Sequence, residues 1–175
     1  PLQGIAFAQG VFTIVGEVLS GVPGSSPSLA YASTDGQAFQ PISLGIDRIR
    51  RLITLKAISA DATGFLISGA GGVLVRGHPA SGWTRLDAGW DPLDVPVRVR
   101  DEFWFASNDS VLRTKDGTSW IRHSIFPNDP NAALGTPGDF SRSLSFTGEA
   151  FIGVRADATA AALRSLDGVA WSQTF

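Results

Sequence analysis

Three short stretches of the chain spell nearly the same thing. They are Ser33-Thr34-Asp35-Gly36-Gln37-Ala38-Phe39, Thr114-Lys115-Asp116-Gly117-Thr118-Ser119-Trp120 and Ser165-Leu166-Asp167-Gly168-Val169-Ala170-Trp171. Each runs hydroxyl residue, any residue, Asp, Gly, two more and an aromatic. A degenerate fourth copy reads Gly77-His78-Pro79-Ala80-Ser81-Gly82-Trp83, with Pro79 in the Asp place and Trp83 keeping the aromatic at the same distance. A unit that recurs at a roughly regular spacing commits the chain to a repeat architecture.

The turn chemistry follows from the residues. An Asp-Gly step between apolar runs is a hairpin signal: Gly takes positive φ without steric cost, and the Asp carboxylate accepts backbone N–H groups within the turn. Ser33, Thr114 and Ser165 add a second side-chain partner, and the aromatic three residues after Gly begins the return strand. Ser33, Asp35, Gly36, Thr114, Asp116, Gly117, Ser165, Asp167 and Gly168 are therefore expected to build turns rather than to perform chemistry.

Aligning the chain on these turns exposes three strands ahead of each. A short one precedes the turn, at residues 29–32, 73–76, 111–113 and 161–164. A stronger one lies earlier, at 11–16, 64–68, 102–107 and 150–154, and a first at 3–8, 53–59, 95–100 and 143–146. Four strands per unit is the period of propeller blades. The expected fold is all-β, an antiparallel propeller or part of one, 1–175, with four blades at about 2–45, 52–88, 95–126 and 142–175.

Composition excludes several classes. Cys is absent, which removes disulfides and thiolate chemistry. The net charge of −2 gives no reason to expect a nucleic-acid partner. No stretch reaches the roughly 18 apolar residues of a helical membrane span. His78 and His123 have no zinc-ligand spacing, so neither a metal nor a cofactor is expected. Of the 14 basic residues only Lys56 and Lys115 are Lys, read as coding bias or a surface poor in flexible charge. The chain begins at Pro1 and lacks Met, the mark of a chain processed or excised from something longer.

The three Ser/Thr-x-Asp-Gly-x-x-Trp/Phe turns resemble the Asp-box, or bacterial neuraminidase repeat, of sialidases, other glycosidases, sortilin-type receptors and photosystem assembly factors. The box there normally carries one more residue between Asp and Gly; the adjacent pair here is closer to the divergent repeats of non-enzymatic members. The resemblance implies that the boxes join third and fourth strands on the face opposite the usual ligand site. It also implies a secreted, extracellular or periplasmic location.

On that reading the ligand rim is made by the long, Pro-rich loops 17–28, 40–52, 86–95 and 124–141. Long loops gathered on a rigid scaffold are where binding is usually found. Trp90 with Asp91 and Asp94 offers an indole beside carboxylates, suited to a sugar face and its hydroxyls. Asp47, Arg48, Arg50 and Arg51 could hold an anion through bidentate guanidinium contacts. Each cluster has a plain alternative: a Trp filling the gap between blades, and a solvated loop with local ion pairs.

Enzymatic readings lack parts. A sialidase of the resembled group needs a Tyr nucleophile, and the only tyrosine, Tyr31, lies on the strand entering the first box. Other glycosidases need two carboxylates about 5 to 10 Å apart across the bond, while Glu102 and Glu149 fall on the box side. The expected function is recognition or scaffolding without catalysis, with a protein or glycan as ligand. The alternative is a glycoside hydrolase or lyase of the sialidase-like superfamily, or a degenerate relative. Four blades would leave either a tight, strongly twisted ring or edges open to pairing, so another copy or a missing remainder is expected to complete a larger ring.

Overall fold

The computed structural model describes residues 2–16, 30–46, 55–69, 72–87, 96–107, 110–125, 140–155 and 162–174, without the side chains of 87, 107, 140–143 and 155. These residues form four antiparallel sheets of four strands, each paired in chain order. Blade 1 comprises β1 (Leu2–Ala8), β2 (Val11–Gly16), β3 (Ala30–Ser33) and β4 (Gln40–Ile42), and blade 2 comprises β5 (Leu55–Asp61), β6 (Gly64–Gly69), β7 (Val73–His78) and β8 (Gly82–Asp87). Blade 3 contains β9 (Val97–Val99), β10 (Glu102–Ser107), β11 (Ser110–Thr114) and β12 (Ile121–Ser124), and blade 4 contains β13 (Phe140–Phe146), β14 (Phe151–Arg155), β15 (Ala162–Ser165) and β16 (Ser172–Thr174). The expected four-strand unit is therefore present four times.

The chain divides into two compact units, 1–96 and 97–175, each holding two blades. In each unit the core is made by two facing sheet surfaces. Because side chains alternate across a strand, every blade has one face carrying a Phe near the start of its second strand, here termed the Phe face, and an opposite face. In the first unit the opposite face of blade 1 (Ala8, Val15, Ala30) meets the Phe face of blade 2 (Ile58, Phe65, Ile67, Val75). The second unit repeats this, with Trp104, Ala106 and Val111 of blade 3 against Phe151 and Leu163 of blade 4. Burying an aliphatic or aromatic side chain such as Phe65 or Ile67 stabilises by about 1.5–3 kcal/mol, and both are at most 1% exposed.

Small residues let the inner strands approach. Gly4 on β1 lies so close to blade 2 that a Cβ there would sit 3.1 Å from Ile58 Cγ2. The hairpin between β1 and β2 turns on Gln9 and Gly10, both at positive φ, with Ala8 opposite Val11, a two-residue connection whose twist matches the strands. Gln9 Nε2 donates to the carbonyl of Ala62 at 2.7 Å, tying the first hairpin of blade 1 to that of blade 2.

Strand bounds differ from the sequence reading mainly at one point. Phe39, Trp120 and Trp171 stand just before β4, β12 and β16 rather than starting them, whereas Trp83 lies within β8. The cause is the box itself, which occupies backbone groups that would otherwise extend the strand pairing.

Candidate functional site

An up-and-down blade puts its first and third hairpins at one end and its second connection and exit at the other. The boxes lie at the first end, and the geometry there accounts for every motif residue. In blade 1, Ser33 Oγ accepts from Gly36 N–H at 2.9 Å, and Asp35 Oδ1 accepts from Gln37 and Ala38 N–H at 2.8 and 2.9 Å and from Ser33 Oγ–H at 2.7 Å. Blade 3 repeats the set: Gly117 N–H to Thr114 Oγ1 at 2.8 Å, and Thr118 and Ser119 N–H to Asp116 Oδ1 at 2.7 and 2.8 Å. Blade 4 does so again with Ser165, Asp167, Val169 and Ala170. Gly36, Gly117 and Gly168 have φ of 73°, 81° and 74°, the left-handed conformation that the motif requires of its glycine.

These bonds fix the protonation state. Two backbone N–H donors hold each carboxylate in its ionised form, lowering Asp35 to about 2 and taking Asp116 and Asp167 below the usual carboxylate range. A carboxylate held ionised in this way cannot serve as a general acid near neutral pH. Each of the three Asp side chains holds the backbone of its own turn.

The first hairpins at the same end carry charged pairs that composition did not reveal. Arg76 reaches Asp61 at 2.8 Å and Thr63 Oγ1 at 2.9 Å, binding β7 to the β5–β6 turn. Arg113, at the same blade position, reaches Glu102 at 3.2 Å and lies over the Trp104 ring at 5.3 Å. The Arg preference thus has a structural use here: a long planar cation that pairs across a sheet while covering a ring. The available signal was an Arg directly before the hydroxyl position of the box, at Arg113 and Arg164, and before Gly77, at Arg76.

The second signal missed in the sequence is a Phe under every box. Phe12 stands opposite Ser33, Phe65 opposite Gly77, Phe103 opposite Thr114 and Phe151 opposite Ser165. In blade 2 the ring of Phe65 stacks on His78 and Trp83, with centroids 5.7 and 6.2 Å away. His78 is thereby a buried structural residue. His123 on β12 stacks on Trp104, and burial, helped by nearby Arg113, pulls its pKa down.

Trp90, Asp91, Asp94, Asp47, Arg48, Arg50 and Arg51 lie outside the described residues. The strands that precede them in the chain, β4 and β8, run away from the boxes. Leu44 and Ile46 anchor the segment after β4 in the core of the first unit. Tyr31 lies on β3, half-buried, and Glu102 on the box side. Among the described residues no group of three or more His, Cys, Asp or Glu side chains could hold a metal ion, and no helix is long and apolar enough to cross a membrane.

A third feature is an uncovered apolar surface. On the Phe face of blade 1, Ile5 and Phe7 are 61% and 55% exposed, and Phe12, Ile14 and Tyr31 are half-buried. The box of blade 4 also presents Leu166 and Val169 to solvent, where the other boxes have Thr34 and Gln37 or Lys115 and Thr118.

No protein-family model matches the chain, and no curated protein is significantly similar in sequence. Solved structures are similar in fold. YCF48 bound to a D1 peptide superposes with a TM-score of 0.65 at 13% identity, over 98% of this chain and 53% of that one. YCF48 from Cyanidioschyzon merolae gives 0.67 at 15% identity, over 98% and 55%. Human WBSCR16 gives 0.60 at 11%, over 100% and 54%. These are β-propeller proteins, and the fold here is the same: all-β, four antiparallel blades of propeller type. The chain spans about half the length of each.

Proposed function

We propose that this chain is a recognition or scaffolding propeller segment that binds a protein partner, through an exposed peptide segment, on the rim formed by loops 17–28, 40–52, 86–95 and 124–141. The observation that carries this reading is the commitment of Asp35, Asp116 and Asp167 to turn backbone. It gives the most prominent carboxylates of the sequence a structural task, which supports a reading in which binding, not acid–base chemistry, is the function. The fold neighbour solved with a D1 peptide supports a peptide as the kind of ligand that such blades accept. Trp90 would supply an apolar anchor with a polar edge, and Arg48 and Arg51 would meet carboxylates on the partner. Further blades, from another copy or from a remainder of a longer ring, would complete the scaffold.

Peptide arrays and glycan arrays probed with the same protein test this. Peptide binding by the wild type, weakened about 10-fold or more by Trp90→Ala and unchanged by Asp116→Asn, is the expected result. Glycan turnover that is abolished by Asp91→Asn or Asp47→Asn would instead establish the hydrolase alternative. Glycan binding without turnover would keep the rim and change the ligand.

A further inference from the structure

The exposed Phe face of blade 1 has a counterpart whose covering is known. Register pairs Ile5 with Ile14 and Ile14 with Tyr31 in blade 1, and Ile58 with Ile67 and Ile67 with Val75 in blade 2. Position by position, Ile5, Phe12, Ile14 and Tyr31 therefore correspond to Ile58, Phe65, Ile67 and Val75. In blade 2 these are 9%, 1%, 0% and 0% exposed, because the opposite face of blade 1 lies on them. The same set in blade 1 is half-buried or exposed. An apolar sheet face of this size, built like a buried one, marks an interaction surface.

The opposite face of blade 4 has the complementary history. Ile152, Val154, Ala162 and Arg164 occupy the positions that Trp104, Ala106, Val111 and Arg113 hold on blade 3. On blade 3 the first three are at most 4% exposed, since that face packs on blade 4. On blade 4, Val154 is 44% exposed and Ala162 and Arg164 are exposed. The covered opposite faces use apolar residues, Ala8, Val15 and Ala30 on blade 1 and Trp104, Ala106 and Val111 on blade 3, and blade 4 presents Ile152, Val154 and Ala162 at such positions.

We infer that the Phe face of blade 1 docks on the opposite face of blade 4 of a second copy of this chain, extending the blade-to-blade packing from one copy into the next. The inference deepens the ring-completion part of the proposed function and rests on it. Two observations favour a second copy as occupant. Each chain carries both halves of the contact, and two copies together have about the length of the propellers that one copy half covers. A heterologous contact of this kind closes when two copies satisfy each other's faces.

Light scattering on the purified chain reads the outcome. A species of twice the 18.4 kDa single-chain mass is expected, converted to monomer by Ile5→Asp and separately by Ala162→Glu, with the β circular dichroism signal retained in both. Mixing the two variants should restore a dimer, since one intact blade 1–blade 4 contact survives in the mixed pair. A wild type that stays monomeric across the micromolar range would overturn both this inference and completion by a second copy. A dimer insensitive to Ala162→Glu, or variants that fail to complement, would overturn the assigned faces while leaving self-association standing.

Discussion

The turn of blade 2 and the box of blade 4 close the same hairpin by different means. In blade 4 the strand pairing stops at Arg164 opposite Ser172, and side chains take over. Ser165 Oγ and Asp167 Oδ1 accept three backbone N–H groups, and Trp171 Nε1 returns a bond to the carbonyl of Gly168 at 3.1 Å. In blade 2 the pairing continues through Gly77 opposite Trp83 to His78 opposite Gly82, and the turn closes on a Ser81 N–H to His78 carbonyl bond at 3.1 Å. A hydroxyl side chain could not stand at position 77, because its Cβ would overlap the Gly82 carbonyl and lie 2.7 Å from Trp83 Cα. Blade 2 thus relies on continued backbone pairing, with one turn N–H, that of Ala80, given to His78 Nδ1 at 3.2 Å, where the boxes rely on hydroxyl and carboxylate acceptors. Blade 2 closes its hairpin without the Ser/Thr-x-Asp-Gly residues.

The box glycines are where substitution should cost most. A Cβ on Gly168 would overlap Trp104 Cζ3 and come within 3.1 Å of Phe151, in a backbone with φ of 74°. Strain from the left-handed conformation, about 1–2 kcal/mol, then adds to overpacking of about 1–3 kcal/mol. Gly36 has the same φ, yet its Cβ would meet nothing nearer than Phe12 at 3.4 Å. Gly168→Ala should therefore lose roughly 3 kcal/mol or more in urea unfolding, the sum of those two costs, and Gly36→Ala about 1. Equal losses would show that the ring contact of Gly168 has no energetic weight.

The blade count and the strand order were legible in the sequence, because turn chemistry is local and the repeated Asp-Gly step marks the same hairpin in each blade. The Phe beneath each box was not read, although Phe12, Phe65, Phe103 and Phe151 recur with the strands. Their meaning depends on cross-strand register, which a sequence does not carry. Nor was the ion pairing of Arg76 and Arg113, since Asp61 and Glu102 lie 15 and 11 residues away and meet them only across a sheet. The exposure of Ile5 and Phe7 was likewise hidden, because their alternation is that of a strand with one face buried.

A milder test compares acceptors. Thr114 is 3% exposed and its hydroxyl is the acceptor of the buried Gly117 N–H, so Thr114→Ala should cost about 1–3 kcal/mol through an unsatisfied donor. Asp116→Ala removes the acceptor of two N–H groups on exposed residues, which water can partly replace, and about 1 kcal/mol is expected, as for a lost helix cap. Pro79→Ala in blade 2, where no side chain at this position accepts a turn N–H, should stay within about 0.5 kcal/mol. Chemical denaturation of the three variants side by side checks the order. A Pro79→Ala loss as large as that of Thr114→Ala would mean that blade 2 depends on its proline as the others depend on their hydroxyl.

The smallest expected effect separates the blades by pH. The box carboxylates have folded-state pKa values below the ordinary 3.8, through bonds from backbone N–H, so the folded protein binds fewer protons than the unfolded chain over that range. Their stabilisation is complete above about pH 4 and is lost as pH falls, for Asp35 through a window reaching down to about 2. Asp35→Asn keeps an acceptor oxygen and removes the charge. Its urea midpoint should lie slightly below wild type at pH 7 and converge with it by about pH 2, the pH at which the wild-type carboxylate itself is half protonated. Pro79→Ala should run parallel to wild type throughout, because blade 2 has no carboxylate in its turn. Curves for Asp35→Asn that also stay parallel would show that the ionised form contributes nothing beyond the acceptor oxygen, leaving the box and the blade 2 turn distinguishable only by geometry.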